Sequence, residues 1–190
     1  EYQDVADLTD QIIESGTYRL EDNIIAYFEN EELSSESVFE IIHNVQTNPG
    51  VNDAISTFYA PARLGGRGDV RVTSDYIAAI QKAVPQFQRD RLPADGEVRD
   101  DRFTELVGLD VPGSDDPNQV SLKYPSGSNV DDNAPIMRYA DVLLMNAEAK
   151  ARLASDINSI DETADNNPIS TINEIRLRSM QAVQVVVEDG

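Results

Sequence analysis

The stretch APIMRYADVLLMNAEAKARL, Ala134 to Leu153, constrains the fold of this chain more than any other. Ile136, Tyr139, Ala140, Leu143 and Ala147 recur at helical spacing, and Met137, Leu144 and Ala151 widen that stripe into a broad apolar face. The spacing predicts one long helix from Pro135 to Leu153, because proline suits a first turn where its missing amide hydrogen has no partner. Arg138 and Asp141 then meet within one turn beside that face, and Glu148 with Arg152 adds an (i, i+4) pair in the favourable order. A second helix is predicted from Pro168 to about Ser179, with Asn167 as its cap and Thr171 with Glu174 as a competing capping box. The two helices are expected to close the chain as an antiparallel pair.

Elsewhere the signals are shorter. Tyr2 to Ser15 reads as an amphipathic helix with Val5, Leu8 and Ile12 on one face and Gly16 as its C-cap. Leu20, Ile24, Tyr27 and Phe28 form a second short helical stripe. Val38 to Val45, rich in β-branched and aromatic residues, reads as a strand, and Asn48-Pro49-Gly50 as a turn. From Val51 to Ser128 regular patterns thin out. Gly65-Gly66-Arg67-Gly68 marks a flexible loop, and Thr73 or Ser74 caps a helix running to about Val84. Arg89–Asp101 and Gly108–Gln119 read as polar loops, with Arg102–Val107 and Val120–Tyr124 as a pair of short strands. Val183 to Val187 is a hydrophobic tail. The fold class expected is mostly α, with helix pairs around an irregular, loop-rich insert and a few short strands.

Charge narrows the partners. The chain has 190 residues, 35 acidic against 15 basic, for a net charge of -20, and its only lysines are Lys82, Lys123 and Lys150. Such a surface repels phosphate backbones, so nucleic acid and anionic lipid are poor partners. Its self-repulsion is screened once the Debye length falls to about 3 Å in molar salt. Acidity with depleted lysine is the pattern of a halophilic protein. There is no cysteine, which excludes disulfides and thiolate metal sites in this chain, and no apolar run is long enough to cross a membrane.

No catalytic constellation emerges, and the chain is expected not to be an enzyme. His43 is the single histidine, which rules out histidine-based metal clusters and triads with a spare base. Asp100-Asp101, Asp115-Asp116 and Asp131-Asp132 are adjacent carboxylates in polar loops and read as solvated surface, not as glycosidase pairs facing across a cleft. No cofactor is expected. Asp156, Asn158 and Asp161 begin like a calcium loop, but Ile160 and Asp161 stand where an oxygen ligand and a glycine belong, so calcium is only a candidate. Arg67-Gly68-Asp69, the integrin tripeptide, reads as coincidence.

The helix string itself resembles a known family. Pro135-Ile136-Met137-Arg138-Tyr139-Ala140-Asp141-Val142-Leu143-Leu144-Met145 followed by Ala147-Glu148-Ala149 is similar to the signature of the SusD/RagB outer-membrane nutrient-binding lipoproteins. Ile172-Asn173-Glu174-Ile175-Arg176-Leu177-Arg178 resembles that family's Asn-x-Ile-Arg-x-Arg helix, and Lys123-Tyr124 its Lys-Tyr before the signature. Ser15 to Leu20 with Tyr27-Phe28, Ser37 to Ile42, and Asp101-Arg102 are looser likenesses in the right order. Asn146 departs where a tyrosine is common, and Met180 where a glycine usually follows.

The resemblance implies a tetratricopeptide-like helical scaffold, whose own consensus is not visible in this chain. It implies the middle to C-terminal part of a longer protein whose N-terminus holds the export signal and a lipid-bearing cysteine. One domain is expected over 1–190: a helical segment and strand in 1–45, a loop-rich, ligand-facing insert in 46–128, and a helix pair with its tail in 129–190. The implied function is capture of an oligosaccharide or other nutrient, such as a peptide, at the outer face of the outer membrane. Its partner would be a TonB-dependent, SusC-like barrel. The competing reading is a helical-repeat scaffold for protein partners.

Sugar rings stack their C–H faces on flat side chains, so aromatics in the insert are the candidate ligand contacts: Tyr59, Phe58, Tyr76, Phe87 and Phe103. Tyr59, near Pro61 and the glycines, is expected in a loop. Arg138, Tyr139, Asp141 and Arg176 are taken as structural signature residues that orient the helices.

Overall fold

In the computed structural model the described residues are 1–29, 34–42, 55–79, 97–109, 119–124, 133–154, 156, 160 and 167–183. The first helix, α1, spans Tyr2–Glu14. It ends where Ser15 N donates to Gln11 O and Gly16 N to Ile13 O, with Gly16 at φ 62, a left-handed turn that glycine enters at little steric cost. Its inward face is turned from the expected one: Ala6 and Thr9 are buried while Leu8 is 60% exposed. The cause is a polar contact with a later helix, described below. The short helix α2, Ile24–Glu29, carries the buried Ile24, Tyr27 and Phe28. Strand β1 follows at Ser37–Ile41.

The long signature element is not one helix. Ala134–Arg138 is a strand, β6, paired antiparallel with β1 in the register Glu40↔Pro135 and Ile41↔Ala134, with bulges between Ser37 and Glu40. Helix α6 begins only at Tyr139 and runs to Leu153. Two hydrogen bonds fix that boundary. The Asp141 carboxylate accepts from Arg138 N at 2.9 Å, and Glu36 O accepts from Tyr139 N at 2.7 Å, satisfying amides that a helix start leaves orphaned. Pro135 is tolerated because a two-stranded sheet is all edge. Ile136, counted on the helical stripe, is therefore 57% exposed on a strand.

Both α1 and the last helix, α7 at Pro168–Ser179, pack on α6. Asn167 caps α7 by accepting from Ile169 N and Ser170 N, both at 2.9 Å. Thr171 does not compete for the cap; its hydroxyl donates back to Asn167 O at 3.0 Å. Tyr139, Val142 and Leu143 form one core, joined by Ile12, Ile13, Tyr18, Leu20 and Ile175. Each such buried side chain contributes about 1.5–3 kcal/mol. Across the α1–α6 contact the fully buried Asn146 donates to Thr9 Oγ1 at 2.8 Å and Asp10 Oδ1 at 2.9 Å, and Lys150 reaches Asp10 Oδ1 at 2.7 Å. This polar anchor sets the rotation of α1 and leaves Leu8 outside.

The middle of the chain holds more strands than its sequence suggests. Helix α3, Ile55–Tyr59, and a 3₁₀ turn, Ala62–Leu64, lead to β2 at Arg71–Val72. Residues 74–79 form helix α4, with Thr73 Oγ1 accepting from Tyr76 N. β2 pairs antiparallel with β5, Gln119–Ser121, and β5 with β4, Val107–Leu109. Asp101–Thr104 is a helical turn, α5, capped by Asp100, so the strand expected at Arg102–Val107 starts only at Val107. Glu97–Asp100, read as loop, is strand β3, paired with β7 at Met180–Val183. A second, aromatic core lies here: Ile24, Tyr27, Phe28, Leu106 and Tyr124, with Ile55 and Tyr59 against it.

Candidate functional site

A cavity of about 340 Å³ opens between the β2-β5-β4 sheet and residues of the short helices α3, α4 and α5. Its aromatic walls are Tyr59 and Tyr76, and its cationic ones Arg71, Arg102 and Lys123. A smaller cavity of about 180 Å³ lies beside it, sharing Tyr59 and Lys123 and reaching Arg138 and Asp141.

Each side chain is held by its local structure. Tyr59 is the last residue of α3, not a loop residue, because Pro61 disfavours a helical Ala60 and stops the helix there. Its ring meets Tyr124 edge-on at 5.2 Å, and Tyr124 meets Phe28 at 5.6 Å, so a chain of edge-to-face contacts links the cavity wall to the core. The glycine run after it is tied down rather than free: Arg67 N donates to Thr57 O at 2.7 Å, Gly68 N to Ala60 O at 2.8 Å and Asp69 N to Phe58 O at 2.9 Å. Arg102 is pinned by Asp100, Nε to Oδ1 at 2.9 Å and Nη2 to Oδ2 at 2.6 Å. Asp100 and Asp101 are each only 3% exposed, which overturns their reading as solvated surface. Lys123 lies 5.3 Å over the Phe28 ring. Burial lowers its pKa, the Arg138 charge adds to that, and Asp141 opposes it. Burial likewise raises the Tyr76 hydroxyl.

Behind the smaller cavity sits a buried charge cluster. Glu36 has no exposure, and its Oε2 accepts from Arg178 Nη1 and from Glu21 N. Arg138 lies 3.7 Å from Glu36 Oε1, attracted through space without a hydrogen bond, and its guanidinium covers Tyr27 at 5.3 Å and Phe28 at 5.5 Å. The turn that aims Glu36 inward is held by Glu21, whose carboxylate accepts from Ser34 Oγ at 2.5 Å, Ser35 N at 3.1 Å and Ser35 Oγ at 3.0 Å. Those bonds, Ser34's first, lower the Glu21 pKa. Burial lowers that of Arg178, with Glu36 opposing.

Of the aromatics singled out from the sequence, Tyr59 and Tyr76 share the larger cavity. Phe58 is not among its lining residues; Arg67 covers its ring at 5.2 Å while pairing with Asp69 at 2.9 Å. Phe103 lies in α5, and its side chain, like Phe87, falls outside the described residues. So do Asn158 and Asp161, while Asp156 is exposed; the carboxylates at 115–116 and 131–132 and His43 are likewise outside. Among the described residues no group of three or more His, Cys, Asp or Glu is gathered as a metal site. Arg176 is half-buried on α7, and it is Arg178, two residues on, that pairs with Glu36. Glu36 went unnoticed in the sequence because a lone glutamate after two serines has no pattern. Lys123 was noted only for its likeness to a motif, though a lysine beside a tyrosine in a chain with three lysines was a usable signal.

The model of the SusD family matches residues 117–182, which hold Lys123, Arg138, Asp141 and Arg178. Over that stretch the chain is similar to the SusD family. Its structure is similar to that of a SusD homolog from Bacteroides thetaiotaomicron, with 20% identity and a TM-score of 0.61 over 96% of this chain. That likeness shows a SusD-like fold of helices with a few short strands. This chain spans 38% of the length of that homolog. No curated protein matches it.

Proposed function

We propose that this protein captures an oligosaccharide at the cell surface and passes it to a TonB-dependent outer-membrane barrel without chemically altering it. The observation that carries the reading is the cavity walled by Tyr59 and Tyr76 in a chain whose residues 117–182 match the SusD family. Two aromatic faces suit the C–H faces of a sugar, and Thr73, Ser121 and the guanidinium groups suit its hydroxyls. At about 340 Å³ the cavity falls within the usual 300–1,000 Å³ of small-molecule sites. On this reading α1, α6 and α7 are the tetratricopeptide-like frame, a lipid anchor holds the protein at the outer face of the outer membrane, and the barrel is its partner.

The test is affinity electrophoresis of the intact protein through gels loaded with a panel of polysaccharides, with chain length of each glycan followed afterwards. Retardation on one or a few glycans, no shortening of their chains, and loss of retardation in Tyr59→Ala are the expected results. Retardation on none would sink the reading in favour of a scaffold for protein partners, and shortened chains would make the protein a hydrolase.

A further inference from the structure

The walls of the larger cavity are charged against the trend of the whole chain. Thirty-five of 190 residues are acidic, yet none of the described residues lining this cavity is, and three are basic. Arg102 is held in place by Asp100, which is buried behind it. Lys123 differs. Among the described residues its ammonium makes no ion pair; it rests on the face of Phe28, with Asp141 near enough only to act through space. A half-buried ammonium without a counter-ion is costly, and a ligand anion beside it would relieve that cost.

Resting on the capture reading above, we propose that the ligand is an acidic glycan, its carboxylate or sulfate set among Lys123, Arg71 and Arg102 with a ring face on Tyr59. Lys123 has the central place because it borders both cavities, so an acid group beside it lets the sugar extend either way. Burial already lowers the Lys123 pKa, and a bound anion restores the charged form. The net charge of -20 repels such a ligand at a distance. At the physiological Debye length of about 8 Å that repulsion is largely screened, whereas contacts inside the cavity are screened much less.

The experiment is affinity electrophoresis of the intact protein on two matched pairs: polygalacturonate with its carboxyl-reduced form, and carrageenan with its desulfated form. Retardation is expected on one acidic member, weaker by about ten- to a hundredfold on its neutral counterpart, the equivalent of one charge-assisted hydrogen bond. Lys123→Met should lose a similar factor, Lys123→Arg should regain most of it, and melting curves should show both folded. Arg71→Gln, at an exposed position, gives a second variant with the same expected direction. Equal retardation on charged and neutral forms, binding only to neutral glycans, or acidic binding untouched by both substitutions would overturn the inference and leave capture standing. Binding to no glycan of either kind would overturn both.

Discussion

The Arg178 guanidinium is bonded to the Glu36 carboxylate across 142 residues of chain, in a place where Glu36 has no exposure and Arg178 only 5%. The pair ties the end of α7 to the turn before β1. The same Glu36, through its backbone carbonyl, fixes where α6 begins. Removing that carboxylate charge leaves Arg178 uncompensated, while Arg138 keeps Asp141 at 3.6 Å, and breaking a buried pair in this way costs about 3–5 kcal/mol. Glu36→Gln is therefore expected to lower the urea midpoint by that equivalent. The double variant Glu36→Leu/Arg178→Met should recover most of it, since apolar replacement of a buried pair is often neutral. A loss below about 1 kcal/mol in Glu36→Gln would rule out this role.

Tyr27 sets an alkaline limit. Burial raises its pKa from 10.0 to about 12, with the Ser37 hydroxyl beside it opposing the shift. A raised folded pKa means that the unfolded chain loses the proton first. Its contribution is fully present below pH 10 and fades as pH climbs to about 12. Tyr27→Phe removes that term. It should change stability by less than about 1 kcal/mol at pH 7 and spare about 2 kcal/mol of the loss between pH 10 and 12. Equal alkaline slopes for the two proteins would refute it.

Gly66 has no room for a side chain. A Cβ there would lie 2.1 Å from Ala60 O and 2.7 Å from Ala60 C, which are backbone atoms next to Tyr59. Overpacking of this kind costs about 1–3 kcal/mol. Gly66→Ala should lose that much stability and, by shifting Ala60, weaken glycan retention alongside it. A fully stable Gly66→Ala protein would mean that the turn yields freely.

Salt should stabilise the protein. With a net charge of -20 the folded chain repels itself, and going from about 0.01 M to about 1 M salt shortens the Debye length from about 30 Å to about 3 Å. The melting temperature is expected to rise steadily across that range in sodium chloride, a salt that changes screening more than hydrophobic burial. A flat or falling curve would argue against a surface adapted to high salt.

The elements that could be read from the sequence are those whose signals are local. Tyr2–Glu14 shows its helical period, Gly16 its turn, and Asn167 with Pro168 the start of α7. The family string from Pro135 was equally legible, as were Tyr59 and Tyr76 as aromatics in a loop-rich region. The errors fall where distant parts of the chain compete with local preference. Pro135 to Arg138 has a helical apolar period, yet the hydrogen bonds of β1 hold it as a strand. Leu8 points outward because the contact of Asn146 with Thr9 and Asp10 outweighs the apolar stripe in setting the rotation of α1.

The sequence by itself determined the likeness to the SusD family over its later part, the three longest described helices, and the acidic surface, because periodicity, capping and charge are properties of neighbouring residues. Only the tertiary structure decided that helix α6 starts at Tyr139, that Glu36 is the shared counter-charge of two arginines, and that Tyr59, Tyr76, Arg71, Arg102 and Lys123 face one cavity. Those residues are spread over 65 positions, from 59 to 123, and nothing in the spacing marks them as neighbours. Sheet pairing and the burial of the aromatic core bring them together, and such contacts are decided by the whole chain at once.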